Sequence, residues 1–380
     1  MDTTIQRGLD GVVIDSSRIC FIDGLKGELV YRGYDIRELA DKASFEETIY
    51  LLWNGQLPKQ GELEAFKAEL KPHFAVPDDA VDVLRHFPHE ESPMHALRTA
   101  VSLLAASDPE SDGVDLENVR RIGLKLTAQV VTLTAALQRL RSGQEPVAPH
   151  PDLGLAANFL YMTSGEEPSA AAVRVMDVAL VLHAEHGSNA STFVARATAS
   201  TLTDVYSAVT AAIGSLKGPL HGGANTAVMQ MLEEIGSVEA VEGFVMNKLA
   251  QPKARIPGFG HRVYRVLDPR AAVLEEVSEK LAEESGDAKW FLMSQEVERV
   301  MGAEMDRRGK QVRPNVDFFS ASVYRMLGFP AEMYTPIFTV ARTPGWAAHL
   351  LEQYADNRLM RPKLAYEGEK GKTFVPIESR

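Results

Sequence analysis

Between Ser44 and residue 357 the chain falls into one helix-length apolar period after another, and glycine or proline closes nearly every one. Ser44 with Glu47 forms a capping box, Phe45, Ile49, Leu52 and Trp53 share the face behind it, and Gly55 and Pro58 end the helix. The same spacing recurs over 60–71, 78–86, 92–106, 115–141, 152–162, 168–186, 224–235, 271–306, 318–327 and 331–357, with Gly286-Asp287 breaking the longest run. Residues 195–214 are rich in Ala, Thr, Ser and Gly, which let backbones approach closely. That stretch is expected at a tight helix–helix seam, with a subunit boundary as one setting and an ordinary buried core helix as the other reading. Strand signals are confined to 10–33, where Asp23-Gly24 between short β-prone runs predicts a hairpin. The expected class is mainly α.

A chain of 380 residues with 45% hydrophobic content can bury two cores. Its net charge of −12 argues against a general binder of nucleic acid or anionic membranes. Cys20 stands alone, which excludes an internal disulfide and any cysteine-rich metal site and suits a reducing cytoplasm. Met1 to Arg7 show no apolar stretch of a signal peptide, and no apolar run approaches the ~18 residues of a membrane span.

Two histidines sit in glycine- and proline-rich turns, His221 after Gly218-Pro219 and His261 after Pro257-Gly258-Phe259-Gly260. Such rings are positioned by backbone. A helix entrance disfavours imidazolium, so a neutral His221 could donate a hydrogen bond; the plainer role is a cap or turn. Asp317, followed by Phe318 and Phe319, is either a carboxylate made more basic by an apolar surround or the N-cap of the helix at 318–327. Residues 251–270 set Lys253, Arg255, Arg262, Arg265 and Arg270 against Asp268 alone, a basic island fit for an anionic small molecule or simply a surface loop. His183-Ala184-Glu185-His186 matches neither the zincin nor the deaminase pattern, and Gly187 behind it makes His186 the better site member. Gly258-Phe259-Gly260 is a poor dinucleotide fingerprint, because Val263 stands where the third glycine belongs and no strand precedes it. These residues together suggest acid–base chemistry on a polycarboxylate, without a metal.

At these positions the sequence resembles the citrate synthase family. Gly218-Pro219-Leu220-His221-Gly222-Gly223-Ala224-Asn225 and Gly258-Phe259-Gly260-His261-Arg262-Val263-Tyr264-Arg265, the latter ending in Asp268-Pro269-Arg270, look like its two histidine motifs. Pro314-Asn315-Val316-Asp317 looks like the aspartate motif, and Arg342-Thr343-Pro344-Gly345-Trp346 like the late arginine motif. Tyr31-Arg32-Gly33-Tyr34-Asp35-Ile36 and Asn357-Arg358-Leu359-Met360-Arg361-Pro362 also match, in the family's order.

The resemblance implies condensation of acetyl-CoA with oxaloacetate and water to citrate and CoA, with no cofactor. Asp317 would be the base, His221 the hydrogen-bond donor to the thioester and His261 the acid on the keto oxygen. Oxaloacetate would meet His186, Arg270, Arg342 and, from a partner subunit, Arg361. CoA would meet Ile256, Gly258, Gly260, Arg265, Lys310 and Asn315, with Lys253, Arg255 and Arg313 as further cations for its phosphates. The implied fold is a large helical domain, 1–222 with 331–380, and a smaller one, 223–330, that closes over the site on hinges at Gly222-Gly223 and Gly328. A cytoplasmic homodimer of the shorter type, without NADH inhibition, is implied as well. A 2-methylcitrate synthase using propionyl-CoA is the near alternative, and a non-catalytic CoA-binding regulator on the same fold the remote one.

Overall fold

The computed structural model describes residues 5–9, 11–252 and 254–380, Ser285 by its backbone alone. Lys253 and the first four residues, on which two of the readings above partly rest, lie outside the described residues. Sixteen α-helices and one three-stranded antiparallel sheet are described. The sheet pairs Cys20–Asp23 with Glu28–Tyr31 and then Tyr34–Asp35, in the register Cys20↔Tyr31 and Val30↔Asp35. At its turn the Asp23 carboxylate accepts from Leu25 and Lys26 backbone N–H groups. The turn lies against the loop behind His261: Arg265 N–H donates to the Gly24 carbonyl at 2.8 Å, and a Cβ on Gly24 would fall 2.3 Å from the Val263 carbonyl oxygen. Glycine there is a condition of the contact.

The capping box at Ser44 forms as its sequence dictates, and Gly55 closes Phe45–Asn54 at φ 80°. Trp53, near that helix's end, donates its indole N–H to the Pro344 carbonyl at 2.9 Å. The centre of the molecule is the packing of two long buried helices, Leu116–Arg141 and Tyr334–Ala355. The second contains Pro344, and next to it Gly345, whose missing side chain admits the Ala184 carbonyl 2.1 Å from where a Cβ would stand. Five further helices, Ala224–Ile235, Val241–Ala250, Pro269–Ser285, Lys289–Arg307 and Val316–Met326, pack chiefly on one another.

The helices differ from those expected in three places. The helix expected over 168–186 is Ala170–His183, so His183 and His186 do not share a helical face. The helix stops there because tertiary groups take the backbone that would continue it: Arg342 Nε donates to His183 O at 2.7 Å, and the Tyr31 hydroxyl donates to Glu185 O at 2.7 Å and accepts from Glu185 N–H at 3.2 Å. The small-residue stretch 195–214 does lie at a helix–helix seam, but as parts of two helices, Ala190–Ala199 and Val205–Leu216, split at Leu202 with φ 61° and packed on each other within the chain. Two short helices, Ile36–Lys42 and Val241–Ala250, were not anticipated; each buries too few side chains for its period to stand out.

Candidate active site

The two motif histidines are held by fixed backbone donors on opposite ring nitrogens. His221 lies in the turn before Ala224–Ile235, whose N-cap is Gly223, so it caps nothing. Its Nε2 accepts from the Ser191 backbone N–H at 3.3 Å and lies 2.7 Å from Ser191 Oγ. An amide hydrogen cannot rotate away as a hydroxyl can, so Nε2 is the acceptor and the ring proton sits on Nδ1. In His261 the opposite holds: Nδ1 accepts from Val263 and Tyr264 N–H groups at 3.0 and 3.1 Å, leaving the proton on Nε2. Both rings are neutral at physiological pH, with pKa values pulled down to about 4 chiefly by burial, helped by Arg342 at His221 and by Arg270 at His261. The neutral His221 expected from the sequence is present, but burial rather than the helix entrance accounts for it.

Asp317 is the second residue of Val316–Met326, and the N-cap is Asn315, whose side-chain oxygen accepts from Asp317 N–H at 3.0 Å. The capping alternative for Asp317 is therefore excluded, and its carboxylate is left over. Oδ1 is out of reach of solvent and has no hydrogen-bond partner among the described residues, and burial pushes the pKa up to about 7. An unpartnered buried carboxylate oxygen is a poorly solvated, strong base when ionised.

The sequence pointed to Arg270 and Arg342 as ligands for carboxylates and gave no sign of what holds them. Arg270 is buried and forked onto Asp268, Nε to Oδ1 at 3.0 Å and Nη2 to Oδ2 at 2.8 Å, so one edge of the guanidinium is already taken. The same Asp268 caps Pro269–Ser285 through Arg270 N–H and accepts from Val316 N–H at 3.2 Å, joining this arginine to the helix that carries Asp317. Only the cap was readable in Asp268-Pro269, an acidic residue followed by proline in the first helical turn; the hold on the Arg270 guanidinium and on Val316 was not. Arg342 is buried over the Phe338 ring at 4.9 Å, and its Nη1 has no partner among the described residues. Glu185, which shares a 2.8 Å contact with His349, is the anion that acts most on it.

His186 stands in the non-helical link between Ala170–His183 and Ala190–Ala199, with its ring edge-to-face on His261 at 5.3 Å, and its Nε2 lies 3.2 Å from the Tyr264 hydroxyl. Burial and Arg270 hold it neutral. Arg270 acts on His186, His261 and Asp317, and Arg342 acts on His186, His221 and Asp317. Four of the seven residues expected to do chemistry or hold the keto acid thus surround two more of them, Arg270 and Arg342. The seventh, Arg361, is exposed and has no hydrogen bond or ion pair with a described residue.

On the other flank, Ile256 is buried and the loop behind it pairs with the chain entering the Asp317 helix. Asn315 N–H donates to Gly258 O and Gly260 N–H to Arg313 O, each at 2.9 Å, and Asn315 Nδ2 donates to Gly260 O at 2.9 Å. Asn315, expected near CoA, spends both ends of its amide on loop and cap. Gly258 and Gly260 have φ of 78° and 83°. Arg255, Arg262, Arg265 and Lys310 are exposed without an ion pair to a described residue, whereas Arg313 is paired with Asp306 at 3.1 Å. The basic island is therefore a buried Arg–Asp pair rimmed by free surface cations. Among the described residues no group of three or more His, Cys, Asp or Glu could hold a metal ion, and no helix is long and apolar enough to cross a membrane.

A family model described as citrate synthase, C-terminal domain, matches residues 8–363. The chain belongs to the citrate synthase family. Citrate synthase 2 of Bacillus subtilis is 50% identical over 99% of this chain and 100% of its own length, and citrate synthase of Haloferax volcanii is 49% identical over the whole of both. 2-Methylcitrate synthase 1 of Corynebacterium glutamicum is more distant, at 40% over 100% of this chain and 99% of its own. Among solved structures, the ternary complex of Thermoplasma acidophilum citrate synthase with carboxymethyl coenzyme A and oxaloacetate superposes with a TM-score of 0.91 at 32% identity, over 98% of this chain and 99% of that one. The mainly helical citrate synthase fold expected from the motifs is thus the fold of the chain.

Proposed function

We propose that the chain condenses acetyl-CoA with oxaloacetate and water to give citrate and CoA. The observation that carries this reading is the shielded, unpartnered carboxylate oxygen of Asp317, grouped with two neutral imidazoles whose donor nitrogens are fixed. A thioester α-proton is too weakly acidic for a carboxylate acting alone, so base and electrophile must act together. Asp317 takes a methyl proton of acetyl-CoA while His221 Nδ1–H hydrogen-bonds the thioester oxygen. The enol carbon attacks the keto carbon of oxaloacetate, and His261 Nε2–H supplies the proton to the developing alkoxide. Water then cleaves the thioester of citryl-CoA, releasing citrate and the thiol. No metal or cofactor takes part.

Oxaloacetate's carboxylates are assigned to His186, to the free Nη1 edge of Arg270 and to Arg342, whose buried Nη1 lacks a partner. Arg361 is assigned across a homodimer interface, a role favoured by its exposure and by a tail, 361–380, that is exposed throughout and carries Leu364 at 96% and Phe374 at 79% exposure. CoA is assigned to Ile256, Gly258, Gly260 and Asn315, with Arg265 and Lys310 towards its phosphates. The small domain is 223–330, closing on the rest, 1–222 and 331–380, in a cytoplasmic enzyme. Closure excludes water from the enol and completes the CoA side after the keto acid binds.

Thiol release with acetyl-CoA and oxaloacetate tests the reading. Turnover with acetyl-CoA well above that with propionyl-CoA is expected, and the reverse preference would make the chain a 2-methylcitrate synthase. One methylene discriminates by only about 1–3 kcal/mol, so the comparison must use kcat/KM for both. Absence of thiol release with either acyl-CoA would leave the non-catalytic regulator.

A further inference from the structure

We infer that Tyr264 is a positioning residue for the keto-acid half of the site, setting both His261 and His186 before substrate arrives. The inference rests on the function proposed above and adds a residue to it. Tyr264 makes three separate contacts from one buried position. Its backbone N–H is one of the two donors that fix the His261 tautomer, at 3.1 Å. Its ring packs on the His261 imidazole at 4.8 Å between centroids and 39°. Its hydroxyl lies 3.2 Å from His186 Nε2, with the two rings edge-to-face at 5.6 Å. With the 5.3 Å contact between the imidazoles, the three rings close a triangle in which each touches the other two. Tyr264 is 3% exposed, and burial raises its phenol further above neutrality, so the hydroxyl keeps its proton.

The physical consequence follows from what the histidines lack. His261 has backbone bonds on Nδ1, but nothing else among its hydrogen bonds orients the ring plane; the phenol face does. His186 is neutral and lies outside any helix, and the Tyr264 hydroxyl is the one side-chain partner of its Nε2 among the described residues. A ligand that must meet both imidazoles then finds them already at their mutual distance, which lowers the ordering cost of binding. The ring sets His261, and the hydroxyl sets His186.

Tyr264→Phe separates these contributions, because it removes the oxygen and retains the ring and the backbone N–H. The expected result is an increase of about 3- to 10-fold in the KM for oxaloacetate, the worth of one hydrogen bond, with kcat and the KM for acetyl-CoA within about twofold of the parent. Selective 15N-histidine NMR of the protein without substrates supplies a readout independent of turnover. The His186 Nε2 resonance should move in the variant, while the His261 pair keeps its Nε2–H pattern. An unchanged or lowered KM for oxaloacetate, equal rises in both KM values, or an unmoved His186 resonance would each overturn the assignment. If the parent protein fails to turn over while the His186 resonance moves, the proposed reaction falls and the tyrosine–histidine coupling stands.

Discussion

Asp317 is held in an environment that disfavours its charge, and that has opposite effects on turnover and on stability. Its pKa is about 7 in the folded protein against 3.8 ordinarily, so the folded state prefers the protonated acid. A base must be ionised, so log kcat/KM is expected to rise with unit slope as pH increases towards about 7 and to level off above it; a plateau reaching down to about pH 5 would rule Asp317 out as the base. The two imidazoles, with values near 4, are neutral across that range and add no further limb. For stability, the raised pKa means that a contribution present below about pH 4 is lost as pH rises through about 7. Asp317→Asn should therefore abolish most turnover and yet be more stable than the parent above pH 7, by on the order of 2 kcal/mol, with the advantage vanishing towards pH 4 in urea titrations. His221, His261 and Asp317 were legible because glycine, proline and phenylalanine beside them mark backbone-set or apolar positions. Ser191, Asp268 and Tyr264 were not, because what they hold, His221, Val316 and His186, lies 30, 48 and 78 positions away.

The element that places the base is the short pairing between the Gly258–Gly260 loop and residues 313–315. Gly258 takes φ 78°, and a Cβ there would lie 2.8 Å from the Phe318 ring, 2.9 Å from Phe318 Cβ and 2.7 Å from Val228. Gly258→Ala is thus strained in backbone and packing together, and should cost about 2–4 kcal/mol, read as a lowered urea midpoint at constant m. The clash falls on the residue after Asp317, so turnover should drop further than stability explains, by on the order of a hundredfold for a shift of about 1 Å. Parental kcat in a folded Gly258→Ala protein would detach this loop from the chemistry. Element existence was readable where cap and period agreed, as at Ser44, Gly55 and Gly236. Ends set by distant donors were not. The stop at His183 depends on Tyr31 and Arg342, and the break at Leu202 carries no glycine or proline to announce it.

At the scale of the molecule, the helical class follows from the apolar period alone, whereas the meeting of residues 186, 221, 261, 317 and 342 is a product of tertiary packing that the motifs named but spacing could not derive. Arg361 tests how far a single chain is sufficient. The segment before it is pinned, Met360 N–H to Ser200 Oγ at 3.0 Å and Asn357 Nδ2 to Ser200 O at 3.1 Å, so its reach is set from the turn after Ala190–Ala199. If Arg361 serves the site of a partner, Arg361→Ala and Asp317→Asn should each be nearly inactive alone. After subunit exchange between the two, half of the dimers are mixed, and in each of these one site combines an intact Asp317 with an intact Arg361 from the neighbour. Thiol release should then recover to roughly a quarter of the parent rate. An arginine acting on its own chain predicts no recovery, because in every mixed dimer each site still lacks one of the two residues.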